Sequence, residues 1–250
     1  MRKLLLIVDP QNDFVNSKGS LYVPGAEKGI EAIIRYIKEH GEEITDIAIT
    51  QDTHHKYHIA HPGFWYPQPE PFTQITPEDY RDGVYMAIMY PSTAEKPYDP
   101  FILQYLESLP GPLTIWPEHC LEGSWGWCFP DPLVEAIQNW EMNTRPHKSA
   151  EIYRKGMMPN FEAFSLFTST PQLNWRPYAD IDIFTGYPEI VICGFAGDIC
   201  VANTVADMID SGLYDGKLVF FNEGMTPLNP GSAMMQVYKN AIKNHGAKEF

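Results

Sequence analysis

Apolar residues recur along this chain in two alternating rhythms. Residues 4–8 are uninterrupted apolar and stop at Asp9, the length and composition of a strand buried on both faces. Residues 26–39 follow with Ile30, Ile33, Ile34 and Ile37 at helical spacing, closed by Gly41. The alternation continues with strands expected over 46–50, 113–116, 189–193 and 217–222, and helices over 131–140, 200–211 and 231–244. Continuously apolar strands separated by amphipathic helices predict a three-layer α/β/α fold around a mostly parallel central sheet. Ligands gather at the carboxyl ends of the strands in such sheets, so the polar residues just past each apolar run are the first place to look for chemistry.

Four of those ends carry reactive side chains. Asp9 terminates the first strand, where its carboxylate would sit partly desolvated, although an aspartate before proline is also an ordinary turn residue. Asp52 and His54 follow the second strand two residues apart, so that in extended chain both reach one point; a carboxylate and an imidazole there suit zinc, iron or manganese. His119 comes shortly after the 113–116 run and could meet that loop. Cys200 stands at the expected start of a helix, where free N–H groups and the helix dipole favour a thiolate and can receive an oxyanion. Cys193, inside its strand, reads as an inert core residue.

Composition narrows the setting. Eighteen Lys and Arg against 32 Asp and Glu give a net charge of −14, which argues against nucleic acid or an anionic membrane as partner. Four cysteines without a CxxC pair fit free thiols in a reducing cytosol. The apolar run after Met1-Arg2-Lys3 is too short for a secretion leader, and no stretch approaches a membrane span. Many of the 22 prolines fall between Pro62 and Pro132 among aromatic residues. We expect one domain over 1–250 with an insertion around 64–112, part of which would form a lid or subunit contact. The apolar residues around 85–90 point to a contact between copies of the chain, a homo-oligomer, or to ordinary core.

The ordered set V-D-x-Q-N-D-F, D-x-H, W-P-x-H-C-x-x-G-[ST], K-G-x-x-P and C-G-x-A-x-[DE]-x-C-V resembles the isochorismatase-like cysteine hydrolases, and within them the nicotinamidases, also called pyrazinamidases. The resemblance covers most of the chain. It implies deamidation of nicotinamide to nicotinate and ammonia through a cysteine thioester, a step of NAD salvage. By position in the motifs it gives Cys200 as nucleophile, Asp9 as the catalytic carboxylate, and Lys155 as the catalytic lysine in preference to Lys148, whose surroundings lack the K-G-x-x-P pattern. It implies one divalent metal ion, zinc or else iron or manganese, held by Asp52, His54 and His119, with His58 as a possible further ligand. The oxyanion donors would be the N–H groups of Ala196 and Cys200, beside a cis peptide between Phe195 and Ala196, and the pocket walls Phe14, Trp116 and Phe164. Phe164 stands where many nicotinamidases carry tyrosine, and the segment before Trp116 is long for a compact member. The same motifs leave open another small carboxamide, carbamoyl or vinyl-ether substrate. A non-catalytic binding protein on this fold is disfavoured by the joint presence of Asp9, Lys155 and Cys200.

Overall fold

A computed structural model describes residues 2–88, 99–168 and 177–250. Its centre is a six-stranded sheet built from β1 (Lys3–Val8), β2 (Asp46–Asp52), β3 (Glu151–Lys155), β4 (Glu189–Phe195), β5 (Leu218–Thr226) and β6 (Lys248–Glu249). The strand order is β6-β5-β4-β1-β2-β3 and every pairing is parallel. Side chains of β1 alternate between the two faces. Leu5 and Ile7 pack with Ile33 and Ile37 of α1 (Ala26–His40) and with Ile137 and Trp140 of α2 (Asp131–Asn143). Leu4, Leu6 and Val8 pack on the opposite face with Val205 and Met208 of α3 (Ala202–Asp210) and with Tyr238 and Ala241 of α4 (Gln236–His245). Each fully buried Leu or Ile of this kind contributes about 1.5–3 kcal/mol. This is why β1, an apolar run without alternation, occupies the centre of the sheet.

Two sequence expectations are corrected. The 113–116 run is not a strand of the central sheet: only Leu113–Thr114 is extended, paired antiparallel with Gln74–Ile75. Its apolar side chains, Leu113 and Ile115, are held in a separate cluster with Phe64, Trp65, Ile75, Tyr80, Ile102 and Tyr105. Phe161 and Ala163 belong to the same cluster, which ties the 64–112 segment to the chain that follows Lys155. The strand beside β2 is instead β3. It forms an edge of the sheet with Glu151, Ile152 and Arg154 exposed, so it lacks the all-apolar signature of its neighbours. The helix expected from Cys200 starts at Ala202, preceded by a wide turn over Gly197–Val201 that contains the cysteine.

Of the apolar residues expected around 85–90, Tyr85 and Ala87 pack on the 64–112 cluster, while Val84 and Ile88 are exposed. Residues 89–98 lie outside the described residues. No helix among the described residues is long and apolar enough to cross a membrane.

Candidate active site

Three adjacent strands, β1, β2 and β3, end together and bring Asp9, Asp52 and Lys155 to one place. Asp9 lies just past β1 with a positive φ of 47°, a region that aspartate tolerates better than most residues. Its N–H donates to the side-chain oxygen of Thr50 at 3.0 Å, and the Thr50 hydroxyl donates to Asp9 Oδ1 at 2.5 Å. Lys155 Nζ stands 2.8 Å from Asp9 Oδ2, 3.1 Å from Asp52 Oδ1 and 3.6 Å from Cys200 Sγ. Lys148 is elsewhere, paired with Asp46 at 2.6 Å.

Two glycines make this convergence possible. A Cβ on Gly156, at φ +79°, would meet Asp52 Oδ1 at 2.7 Å and His54 Nε2 at 3.0 Å. A Cβ on Gly194, at φ +130°, would meet the Val8 carbonyl at 2.1 Å. Both positions admit only a residue without a side chain. The peptide between Phe195 and Ala196 is cis.

Buried charge sets the proton affinities of this group. Burial pushes the Asp9 carboxyl above the usual carboxylate range, with Lys155 pulling it back. Burial likewise pushes the Cys200 thiol well up, again opposed by Lys155. Burial works against the Lys155 ammonium, but Asp52 and Asp9 outweigh it and hold its pKa well above the ordinary value. The consequence is a sulfur that keeps its proton at rest, facing a carboxylate more basic than one in water.

The second group of side chains lies on the other side of Asp52. His54 Nδ1 is 3.6 Å and His119 Nε2 3.4 Å from Asp52 Oδ2. The two loops are held together by the backbone, since His54 N–H donates to the Cys120 carbonyl at 3.0 Å and Glu122 N–H to the His54 carbonyl at 3.0 Å. His58 and His61 complete a set of four buried imidazoles, with ring centroids of His58 and His61 at 4.2 and 5.0 Å from that of His54. Glu162, also buried, has Oε1 at 3.6 Å from His54 Nε2 and Oε2 at 3.9 Å from His58 Nδ1. His58 Nδ1 accepts from Ala60 N–H at 3.3 Å. Burial acts to raise Glu162, but His54 overrides it and brings its pKa down to about 2. Burial and the neighbouring His54 bring His58 down to about 3.

These residues fit a divalent metal ion. Asp9 and Asp52 share the Lys155 ammonium, while the third buried carboxylate, Glu162, faces the imidazoles of His54 and His58. Both nitrogens of His54, together with Glu162 Oε2, are buried without a hydrogen-bond partner, and unpaired buried polar atoms are rare unless something fills the gap. The separations of 3.4 and 3.6 Å from Asp52 Oδ2 are those of ligand atoms around one small cation. Replacing Asp52 by alanine is expected to remove bound metal, read as stoichiometry by elemental analysis; full occupancy in that variant would refute the set.

Between the two groups lies a cavity of about 380 Å³ including its open mouth. Phe14, Trp116 and Phe164 line it, with Ala196 and Cys200 on one side and Asp52, His119 and Glu162 on another. Phe14 meets the His119 ring edge-on at 5.5 Å. Two larger depressions, one along β3 near Trp127 and Arg154 and one beside Arg145 and Lys148, contain neither group.

Several residues of the sequence motifs take positioning roles that the motifs themselves do not disclose. Gln11 Nε2 donates to the Asp52 carbonyl and its Oε1 accepts from Asp52 N–H, both at 2.7 Å, which fixes the end of β2. The Asp13 carboxylate accepts from Cys120 N–H at 2.7 Å and so anchors the His119 loop. Asp198 accepts from the N–H groups of Leu228 and Asn229 at 2.7 and 3.0 Å, holding Leu228 against the pocket. Asp198→Ala strands two backbone donors; we expect a loss of about 2–3 kcal/mol in stability, read by denaturant titration.

No family model matches the chain. It is 24% identical to the nicotinamidase of Saccharomyces cerevisiae over 97% of this chain and 96% of that protein. The nicotinamidase of Acinetobacter baylyi is 27% identical over 84% of this chain and 75% of that one. The solved structure of the yeast nicotinamidase superposes with a TM-score of 0.69 at 20% identity, covering 99% and 98% of the two chains. That of the pyrazinamidase of Pyrococcus horikoshii in complex with zinc gives 0.58 at 22% identity, covering 100% and 99%.

Proposed function

We infer that this chain, which belongs to the isochorismatase-like nicotinamidase family, hydrolyses nicotinamide to nicotinate and ammonia through a thioester on Cys200. The observation that carries this reading is the pairing, across one aromatic-walled pocket, of the Asp9–Lys155–Cys200 group with the Asp52–His54–His119 donor set. Asp9 takes the thiol proton, and Lys155 stabilises the resulting thiolate. The sulfur attacks the amide carbon, and the N–H groups of Ala196 and Cys200 receive the oxyanion, each donor worth about 3–4 kcal/mol. Asp9 returns the proton to the departing ammonia as the C–N bond breaks. It then draws a proton from the water that hydrolyses the thioester, which regenerates the thiol.

Phe14 and Trp116 would flank the ring. Asp52, His54 and His119 would hold one divalent ion, zinc or else iron or manganese, which when bound would supply Lewis-acid chemistry toward the pyridine nitrogen. Phe164 leaves that wall without a hydroxyl, which supports tolerance of other small carboxamides. We read residues 64–112 as an insertion within one domain, supported by the shared cluster with Phe161 and Ala163. Four free thiols fit a reducing compartment such as the cytosol.

The test is ammonia release from a panel of nicotinamide, pyrazinamide and small carbamoyl compounds. Nicotinamide is expected to give the highest kcat/KM; preference for a carbamoyl substrate would overturn the specificity while sparing the nucleophile.

A further inference from the structure

The donor set Asp52, His54 and His119 leaves two imidazoles of the cluster: His58, which the resemblance offers as a further ligand, and His61, which nothing assigns. His61 is fully buried and precedes the Pro62–Phe64 turn, its N–H donating to the His58 carbonyl at 2.8 Å. Its Nε2 stands 3.3 Å from His119 Nδ1. That same Nδ1 is 2.8 Å from the Pro117 carbonyl oxygen. A carbonyl oxygen only accepts, so Nδ1 of His119 carries the proton and the lone pair is on Nε2. Nε2 is the nitrogen that faces Asp52 Oδ2. His61 Nε2 is therefore a second acceptor for the one N–H.

From this geometry we infer that His61 is a positioning residue of the metal centre, sharing the Nδ1–H of His119 with the Pro117 carbonyl and so fixing the ring angle that turns Nε2 to Asp52 and His54. The inference rests on the reading of Asp52, His54 and His119 as the metal-holding set. Ring nitrogens of His54, His61 and His119 do lie within 4.8 Å of one another, as direct ligation by His61 would need. The nitrogen of His119 that faces His61, however, is the one committed to Pro117. Outer partners of metal-bound histidines set ring angle and basicity in this way, and their loss commonly weakens metal binding about 10–100-fold.

The position also has an unusual feature for a residue kept for packing alone. With Nε2 accepting, the His61 proton sits on Nδ1, and Nδ1 is buried without a partner. A phenyl ring of similar shape removes that unpaired group. His61→Phe should therefore leave the melting temperature of the chelator-treated protein unchanged or higher, while weakening its metal binding.

The experiment is a competition titration of the metal-free full chain with cobalt(II) and a chromogenic chelator, followed by the cobalt ligand-field spectrum. His61→Phe is expected to bind about 10–100-fold more weakly with an unshifted band pattern, because the inner ligands are the same. His61→Gln, whose amide oxygen can accept the His119 proton, should recover part of the loss. Binding by His61→Phe within twofold of wild type overturns the inference. So does a weakened affinity with a lower metal-free melting temperature, which would mark a packing role, or a spectrum that has lost a nitrogen ligand. Asp52→Ala in the same titration separates the two layers: wild-type binding there overturns the ligand set and the His61 inference with it. Wild-type binding by His61→Phe alone removes only the role of His61.

Discussion

Replacing Cys200 by alanine is expected to lower nicotinamide turnover by a factor on the order of 10⁴–10⁶, the range seen when an enzyme loses its nucleophile. Cys200 Sγ is the pocket sulfur that the Lys155 ammonium reaches, at 3.6 Å. Cys193 is buried inside β4 with its thiol pushed up by burial and directed at the Leu6 carbonyl, and the exposed Cys128 bonds to Ser124. Neither can take over. The same variant should bind metal with wild-type stoichiometry, since Cys200 is not among the donor atoms around Asp52 and His54. Activity within a factor of ten of wild type would eliminate the covalent route.

The second large effect falls on Lys155. Its ammonium lies 2.8 Å from Asp9 and 3.1 Å from Asp52, and all three side chains are buried. Lys155→Met leaves two carboxylates without their cation, which typically costs about 3–5 kcal/mol. For a chain of this size that corresponds to a fall in melting temperature of about 10 °C. Activity should drop at least about 10³-fold, because the thiolate loses the ammonium beside it.

The variant's instability should depend on pH with a definite sign, measured with chelator present. Without Lys155 the Asp9 carboxyl is desolvated and unopposed, so its folded pKa rises further above the value near 3.9 of the unfolded chain. The folded state then holds a proton that the unfolded state has released, and stability falls as pH rises through that window. In the wild type the stability that the raised Lys155 contributes is fully present below about pH 10 and lost only as pH rises through its elevated folded value. The gap in melting temperature between the two should therefore widen from pH 5 to pH 8; a constant gap would mean that losing Lys155 leaves the Asp9 carboxyl where it was.

The sequence makes some of this architecture readable for a physical reason and hides the rest for another. Central strands are covered on both faces, so β1, β2 and β4 appear as apolar runs, and the side chains just past their ends are the reactive ones. β3 escaped because an edge strand exposes one side: Glu151, Ile152 and Arg154 give no periodicity that marks burial. The 113–116 run misled in the opposite direction, since it buries its apolar residues against the 64–112 segment instead of the sheet. Glu162 lies three residues past the K-G-x-x-P motif, yet only folding carries it to His54. His61 belongs to a histidine-rich loop, and its significance depends on the direction of one N–H bond of His119, which spacing along a chain does not encode. Gln11 and Asp13 act through backbone groups of residues distant in sequence, a kind of contact without a local signature.

The most direct test of the account is the stoichiometry of products from nicotinamide with the metal-loaded wild-type chain. The account predicts one ammonia for every nicotinate formed, at a rate that falls to the uncatalysed level when Cys200 is alanine. No ammonia above the blank from nicotinamide, or equal release by the alanine variant, would contradict it.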